Sequence, residues 1–418
     1  VVGATNLISV AAGTSLQPIL SAAKPGDIIE LAGGTYLEND YPAIEVSGTA
    51  QNWIVVRGAA GSRPTIDLGN GGEFHIGGSY ILFENIEIVN GYNNNLHITP
   101  AHASTGQTCV ILQDVLSHNM ASGVGAALKV AGTWEAGAFQ PLDGLYVQSS
   151  EFAGSLSNAV IDAVAIRHGV VRDCYLHDPV NGSLTCPGVF FKGGSSNILL
   201  ERNLVRGIVG NSVIMVGGNT GIKYWDPLYA NPLIEGVNEV VRNNVMADFT
   251  DSAFDIRGCD GAQIYNNTIV TQTTFCIFRL TWGGQDSSSQ VGNEDITVAN
   301  NLVLSYGKPT YSQNDGNQDV TATFGPQLWG GAFKPGYGGG VPAFPLAKDV
   351  VVAATSAFGT VLVNPSYLGM TGLADALSRF VLAPGSPAKG AGEANTVAPE
   401  DILGVERPAA APSLGAFE

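Results

Sequence analysis

The chain has 418 residues, 45% hydrophobic and only 13% charged, with a formal net charge of −17. That acidic balance argues against nucleic acid or an anionic membrane as partner, since both call for a basic footprint, and no run of about 18 apolar residues offers a membrane span. With 54 glycines and abundant Val, Ile, Thr and Asn, the composition points to strands and tight turns rather than to a helical or disordered chain.

The chain starts at Val1 rather than Met, which fits a processed protein, secreted or periplasmic. Residues 1–30 are assigned to an N-terminal cap and residues 31–304 to repeated rungs. In these rungs one pattern returns: apolar, variable, apolar, polar, Asn or a small substitute, then an alternating strand. Examples are Ile81-Leu82-Phe83-Glu84-Asn85-Ile86, Val240-Val241-Arg242-Asn243-Asn244-Val245 and Thr297-Val298-Ala299-Asn300-Asn301-Leu302. The marker positions are 85, 114, 150, 174, 203, 244, 267 and 301. The short intervals read as bare rungs of three strands and the long ones as rungs with loop insertions, within the roughly 20 to 45 residues of a solenoid repeat. Asn suits the bend because it tolerates left-handed backbone and its amide can bond the same amide one rung away. Residues 305–418 are predicted as a long loop, rich in Gly, Pro and Tyr up to about 345, followed by C-terminal rungs and a closing segment. The whole chain thus reads as a single all-β domain. The five cysteines lack any CxxC spacing, so they read as buried thiols rather than a zinc site. Cys174 with Cys186, or Cys259 with Cys276, are the disulfide alternatives.

Both ends carry a family pattern. Leu16-Gln17-Pro18-Ile19-Leu20 through Asp27-Ile28-Ile29-Glu30-Leu31, followed by Gly34-Thr35-Tyr36 and Trp53-Ile54-Val55-Val56-Arg57-Gly58, resembles the opening of right-handed parallel β-helix proteins of the polysaccharide lyase type, the pectate-lyase-like superfamily. Ser386-Pro387-Ala388, Asp401-Ile402-Leu403-Gly404 and Leu414-Gly415-Ala416-Phe417 resemble the closing segment of the same group. The resemblance implies a single-stranded right-handed parallel β-helix with a short N-terminal capping helix. It leaves activity open, because this architecture hosts lyases, hydrolases, epimerases and adhesins.

Strands that end in Gly, aligned on that Gly, bring Lys129, Arg167 or His168, Lys192, Arg257 and Arg279 onto or near one strip. Rungs repeat about every 4.8 Å. A cationic row in so acidic a chain calls for an anionic ligand, a uronate-containing polysaccharide. The bland alternative pairs these cations with Asp162, Asp178, Asp251 and Asp255.

A uronide lyase needs fixed positive charge beside the substrate carboxylate and a base near its working pH. Lys192, after the apolar Val189-Phe190-Phe191, is the expected base, crowding by other cations moving its pKa down. Arg257 is expected to grip a carboxylate two-pronged, with Arg167, Lys129 and Arg279 as further substrate contacts. His168 and His177 are alternative acid or base groups. Lys223, Tyr224, Trp225 and Trp282 are candidates for binding or stacking on a sugar. The family resemblance implies Ca²⁺ held by Asp side chains, with Asp255, Asp178 and Asp162 the candidates. Alternative functions are a glycoside hydrolase using paired Asp residues such as Asp255 with Asp162 or Asp178, and a noncatalytic carbohydrate-binding or adhesive solenoid.

Overall fold

Alternation of apolar and polar residues produces strands whose inward side chains share one core. In Ile81–Val89, the side chains of Ile81, Phe83, Ile86 and Ile88 are fully buried, and in Gln107–His118 so are Val110, Leu112 and Val115. The computed structural model describes residues 3–101, 106–121, 125–135, 138–155, 159–178, 187–284, 291–315, 320–342, 344–394 and 397–418.

Each turn of the chain contributes three strands that lie in register on those of the next turn. Ser195–Glu201, Leu204–Arg206 and Ile214–Gly217 are followed by Val240–Arg242, Val245–Ala247 and Phe254–Arg257. The pairing is parallel: Leu200 opposes Val241, Val205 opposes Met246 and Val216 opposes Ile256. The stack runs from Asn6–Val10, paired with Asp27–Leu31, to Leu328–Gly330, paired with Val350–Val352. This is the right-handed parallel β-helix expected from the repeats, and among the described residues no helix is long and apolar enough to cross a membrane.

Two boundaries differ from the sequence expectation. The first rung starts at Asn6, inside the segment read as a cap, while the helix Gln17–Ala22 buries Leu20 in the core of the first rungs. Within the stretch read as a loop after residue 304, Thr310–Asn314, Val320–Phe324 and Leu328–Gly330 build further rung strands. The rest of that stretch sends Phe333 and Phe344 onto Trp329, with ring centroids 5.1 and 5.6 Å apart, so aromatic rings pack this end of the core. Gly and Pro hid these strands because the local composition resembles a turn.

The bends divide between two residues a task that sequence reading gave to one. Asn243, Asn266 and Asn300 hold the left-handed backbone, with φ of 54 to 56°. The next residue makes the ladder: Asn203 Nδ2 donates to Asn244 Oδ1, Asn244 to Asn267, and Asn267 to Asn301, each at 2.9 to 3.0 Å. Asn301 in turn donates to Gln327 Oε1 at 3.0 Å. The markers Asn85 and Asp114 are themselves left-handed residues, so their ladder-frame counterparts are Ile86 and Val115, which pair with each other.

The C-terminal segment folds back along the side of the stack. Leu204, Val245, Leu302 and Leu328 point outward at one position of the rungs, with Thr268 on the rung between Val245 and Leu302, and are covered by Phe358, Leu362, Phe380, Ile402, Leu414 and Phe417. Burying each such side chain stabilises by about 1.5–3 kcal/mol, which explains why these strands are apolar on both faces. Cys174, Cys259 and Cys276 are buried free thiols, and the Cys259 to Cys276 bridge is not formed. Cys186 lies outside the described residues.

Candidate active site

A ten-stranded parallel sheet, from Ala43–Ile44 to Thr310–Asn314, forms one face of the helix. Inward residues such as Leu128, Val130, Phe191 and Ile256 belong to the core, so the residues between them project outward in two columns. One column passes from His97 to Lys129, Asp162, Phe190, Met215, Asp255 and Arg279. The other passes from Ala131 to Val164 and Lys192, and resumes with Gly217, Arg257 and Thr281. Lys192 and Arg257 therefore lie on the same side of the stack, two rungs or about 10 Å apart along it.

Two insertions stand over the second column. After Leu128–Ala131 the chain makes an antiparallel hairpin, Thr133–Glu135 with Ala138–Gln140. After Ile214–Gly217 it makes an excursion over residues 218–235 with short helical turns at Ile222–Tyr224 and Pro227–Tyr229. Between them is a cavity of about 340 Å³ lined by Lys129, Phe139, Val164, Lys192, Asn219, Thr220 and Tyr224, among others. Gly218 makes room for the Lys192 stem: a Cβ there would lie 2.8 Å from that of Lys192.

Lys192 has an unusual setting. Its ammonium lies 4.1 Å from the centre of the Phe190 ring and 3.8 Å from Asp162 Oδ1. Lys129 Nζ bonds the other oxygen of Asp162 at 2.6 Å, so two lysines share one buried carboxylate. Burial lowers the Lys192 pKa below the ordinary lysine value, with Lys129 adding to the effect and Asp162 opposing it.

Beneath the cavity, buried carboxylates hold the insertion. Glu235 accepts from Gly193 N–H at 2.7 Å, Thr220 N–H at 2.6 Å and Oγ1 at 2.8 Å, and Gly284 N–H at 3.1 Å. It thereby fixes the turn after Lys192 to the cavity wall. Burial raises the pKa of Glu235, and raises that of Glu239 well above the usual carboxyl value, with the neighbouring Glu235 charge adding to the second shift.

Arg257 is already engaged. Its Nε and Nη2 both donate to Asp255 Oδ2, at 2.9 and 2.7 Å. Its Nη1 meets the Asn219 amide oxygen at 2.6 Å when that amide is oriented to face it. The two-pronged edge expected to grip a substrate carboxylate is thus occupied, and Arg257 instead orients Asn219. Arg279 bonds Asp315 at 2.8 Å and approaches Asp255 at 3.5 Å. The acids Asp162 and Asp255 rise from the same column as Lys129 and Arg279 and bond cations of both columns, so the sheet compensates much of its positive charge internally.

Other expected residues lie elsewhere. Arg167 and His168 belong to Ile166–Arg172, a strand of the neighbouring sheet; the site-sheet strand between those of Lys129 and Lys192 is Ile161–Val164. Arg167 makes a two-pronged bond to buried Asp226, at 2.6 and 2.7 Å, anchoring the 218–235 insertion. His168 is exposed and bonds Asp143 at 2.7 Å. Trp225 is 2% exposed and donates its indole N–H to Ile234 O at 2.6 Å, so it supports the insertion rather than offering a stacking face. Tyr224 is exposed at the cavity, with Lys223 Nζ 4.6 Å from its ring centre. Trp282 is half-buried, next to Thr281.

The three aspartates proposed as calcium ligands do not converge. Asp162 and Asp255 are three rungs apart, about 14 Å, and each is bonded to cations. Asp178 is on another face with His177 and Arg206. A calcium ion needs six to eight oxygen ligands around one point, so these residues do not fit one. The same separation puts Asp162 and Asp255 outside the spacing of a glycosidase acid and base, about 5 to 9.5 Å. Sequence reading missed Asn219, Thr220, Phe139 and Glu235. For Asn219, Thr220 and Glu235 the signal was the long interval between the rungs marked by Asn203 and Asn244, and for Phe139 the long interval between those marked by Asp114 and Ser150.

No protein-family model matches the chain, and no curated protein sequence matches it. Among solved structures, the pectate lyase Pel9A is similar over 100% of this chain and 97% of its own, at 15% identity and a TM-score of 0.54. The GH136 lacto-N-biosidase from Eubacterium ramulus is similar over 84% of this chain and 68% of its own, at 11% identity and a TM-score of 0.50. These likenesses establish the fold, and the fold carries two different reaction types.

Proposed function

We propose that the chain is an extracellular polysaccharide lyase that cleaves a uronate-containing polymer by β-elimination, with Lys192 as the base. The observation that carries this reading is a lysine walled into a cavity beside a second lysine, its ammonium form disfavoured by burial. A neutral Lys192 removes the proton from C5 of a uronate ring. The electron pair left on C5 forms the C4=C5 double bond as the C4–O bond breaks, and the departing oxygen takes a proton from the Lys192 ammonium or from water. Negative charge develops on the C5 carboxylate during proton removal, and the Lys129 ammonium is the fixed charge that stabilises it. Asn219 and Tyr224 line the wall against which the sugar docks, and Arg257 positions Asn219. Whole-length similarity to a pectate lyase shows that this fold can carry such a reaction.

The test is incubation with a panel of uronate polysaccharides. A lyase yields an unsaturated, ultraviolet-absorbing end. New reducing ends without that absorbance identify a hydrolase, and binding without cleavage identifies an adhesive solenoid; either result overturns the proposal.

A further inference from the structure

The outward column that carries Lys129 passes, one and two rungs earlier, through two histidines. Phe74–Ile76 and Leu96–Ile98 repeat one motif, apolar-His-apolar, and their Phe74, Ile76, Leu96 and Ile98 side chains are all fully buried in the core. His75 and His97 therefore project outward from directly paired positions. Their rings meet edge to face, with centroids 4.7 Å apart.

Glu73, just before the first of these strands, completes the group. Its Oε1 lies 2.8 Å from His97 Nδ1, and that nitrogen lies 3.2 Å from His75 Nε2. The other oxygen, Oε2, is held by the Asn94 amide at 2.5 Å, which leaves Oε1 directed at the imidazoles. The three ligand atoms all lie within 4.8 Å of one another, and this is the one such group found among the described residues. His75 and His97 are partly accessible and Glu73 is buried beside them, so an ion can enter from the histidine side.

We infer that Glu73, His75 and His97 form a binding site for a divalent transition cation of the zinc class. Zinc bonded to nitrogen at about 2.0–2.1 Å in tetrahedral geometry places its ligand atoms about 3.3 Å apart. The 3.2 Å between the two histidine nitrogens meets that spacing, the 2.8 Å to the carboxylate oxygen opens by about half an ångström to reach it, and the third pair, His75 Nε2 and Glu73 Oε1, lies within 4.8 Å. Two imidazoles with one carboxylate leave a fourth position open to water. Nitrogen ligands select zinc, cobalt, nickel or copper over calcium and magnesium. Asn94 is the outer partner that fixes the carboxylate, as ligating groups usually require. The site stands independently of the lyase proposal, since it shares no residue with the Lys192 cavity.

The test uses the full chain, stripped of metal and titrated with Co²⁺ and Zn²⁺ by calorimetry, with the visible ligand-field bands of Co²⁺ reporting nitrogen coordination. One equivalent is expected to bind, with Zn²⁺ displacing Co²⁺ and Ca²⁺ failing to do so. His75→Ala and His97→Ala are expected to weaken binding at least 100-fold and to abolish the Co²⁺ bands. Asn94→Ala, which keeps all three ligands, is expected to weaken it about 10- to 100-fold. Circular dichroism checks that the variants fold. Failure of the wild type to bind Zn²⁺ or Co²⁺ saturably overturns the inference, as does unchanged binding in the His75→Ala/His97→Ala double variant.

Discussion

The Lys192 ammonium stands 3.8 Å from Asp162, the same carboxylate that holds Lys129 at 2.6 Å. Because Asp162 favours the charged form of Lys192 while burial and Lys129 oppose it, this carboxylate sets how readily the proposed base loses its proton. Lys192→Met is expected to cut turnover by about 10² to 10⁴, with KM changing far less. In the wild type, kcat/KM should rise with pH and level off below the ordinary lysine pKa. Asp162→Asn removes the opposing charge, so its profile should level off at still lower pH. Rate measurements from pH 5 to 10 check both, and a profile that does not move in Asp162→Asn would separate Asp162 from the base.

Glu239 gives the fold a pH-dependent cost. It is fully buried, Gly217 N–H reaches its Oε2 at 3.3 Å, and its pKa is raised well above the usual carboxyl value. The unfolded chain ionises this group at the ordinary value while the folded chain keeps it neutral, so the unfolded state binds fewer protons between the two pKa values. Stability therefore falls as pH rises from the ordinary glutamate range through the elevated folded pKa. Glu239→Gln keeps a neutral group of the same shape. It should flatten the decline in Tm between pH 5 and pH 8, measured by calorimetry, and a decline equal to that of the wild type would refute the assignment.

The amide ladder has a measurable worth. Asn244 accepts from both the backbone and side-chain N–H groups of Asn203, and donates to Leu200 O and Asn267 Oδ1. Asn244→Ala strands several buried polar groups, each costing about 1–3 kcal/mol. Total destabilisation on the order of 3 kcal/mol or more is expected in denaturant unfolding. Ser150→Ala, at the equivalent bend, removes only a hydroxyl that serves Val115 N–H and Gln148 O. It should cost about 1 kcal/mol.

Tyr224 and Trp225 are neighbours with opposite roles. Tyr224→Ala should raise KM severalfold and leave Tm nearly unchanged, since its ring is exposed at the cavity. Trp225→Ala removes a buried ring and its bond to Ile234; large aromatic truncations cost about 3–5 kcal/mol. Paired thermal melts and steady-state kinetics distinguish the two, and the reverse pattern would contradict the placement of both rings.

The rung pattern and the Asn bends were legible in the amino-acid sequence because each depends on residues close together in the chain, and the N-terminal helix was implied by the family resemblance of the opening segment. Alternation sets which face is inward, and Asn tolerates the left-handed bend. Even there, adjacent polar residues such as Asn243 and Asn244 could exchange roles without changing the local pattern. That is why Asn85 and Asp114 were read one position out of frame.

Pairing across rungs was decided only by the tertiary structure. Aligning strands on a terminal glycine placed Arg167 in the cationic row, whereas the register gives that place to Asp162 and sends Arg167 to Asp226. Arg257 was given to the substrate for a different reason: its partner Asp255 stands in the same strand two residues before it, and only the side-chain conformation shows that it takes the two-pronged edge. Local sequence fixes whether a side chain faces in or out. Which charges become neighbours depends on the lengths of the insertions between rungs, and a shift of a few residues there exchanges one partner for another at almost no local cost.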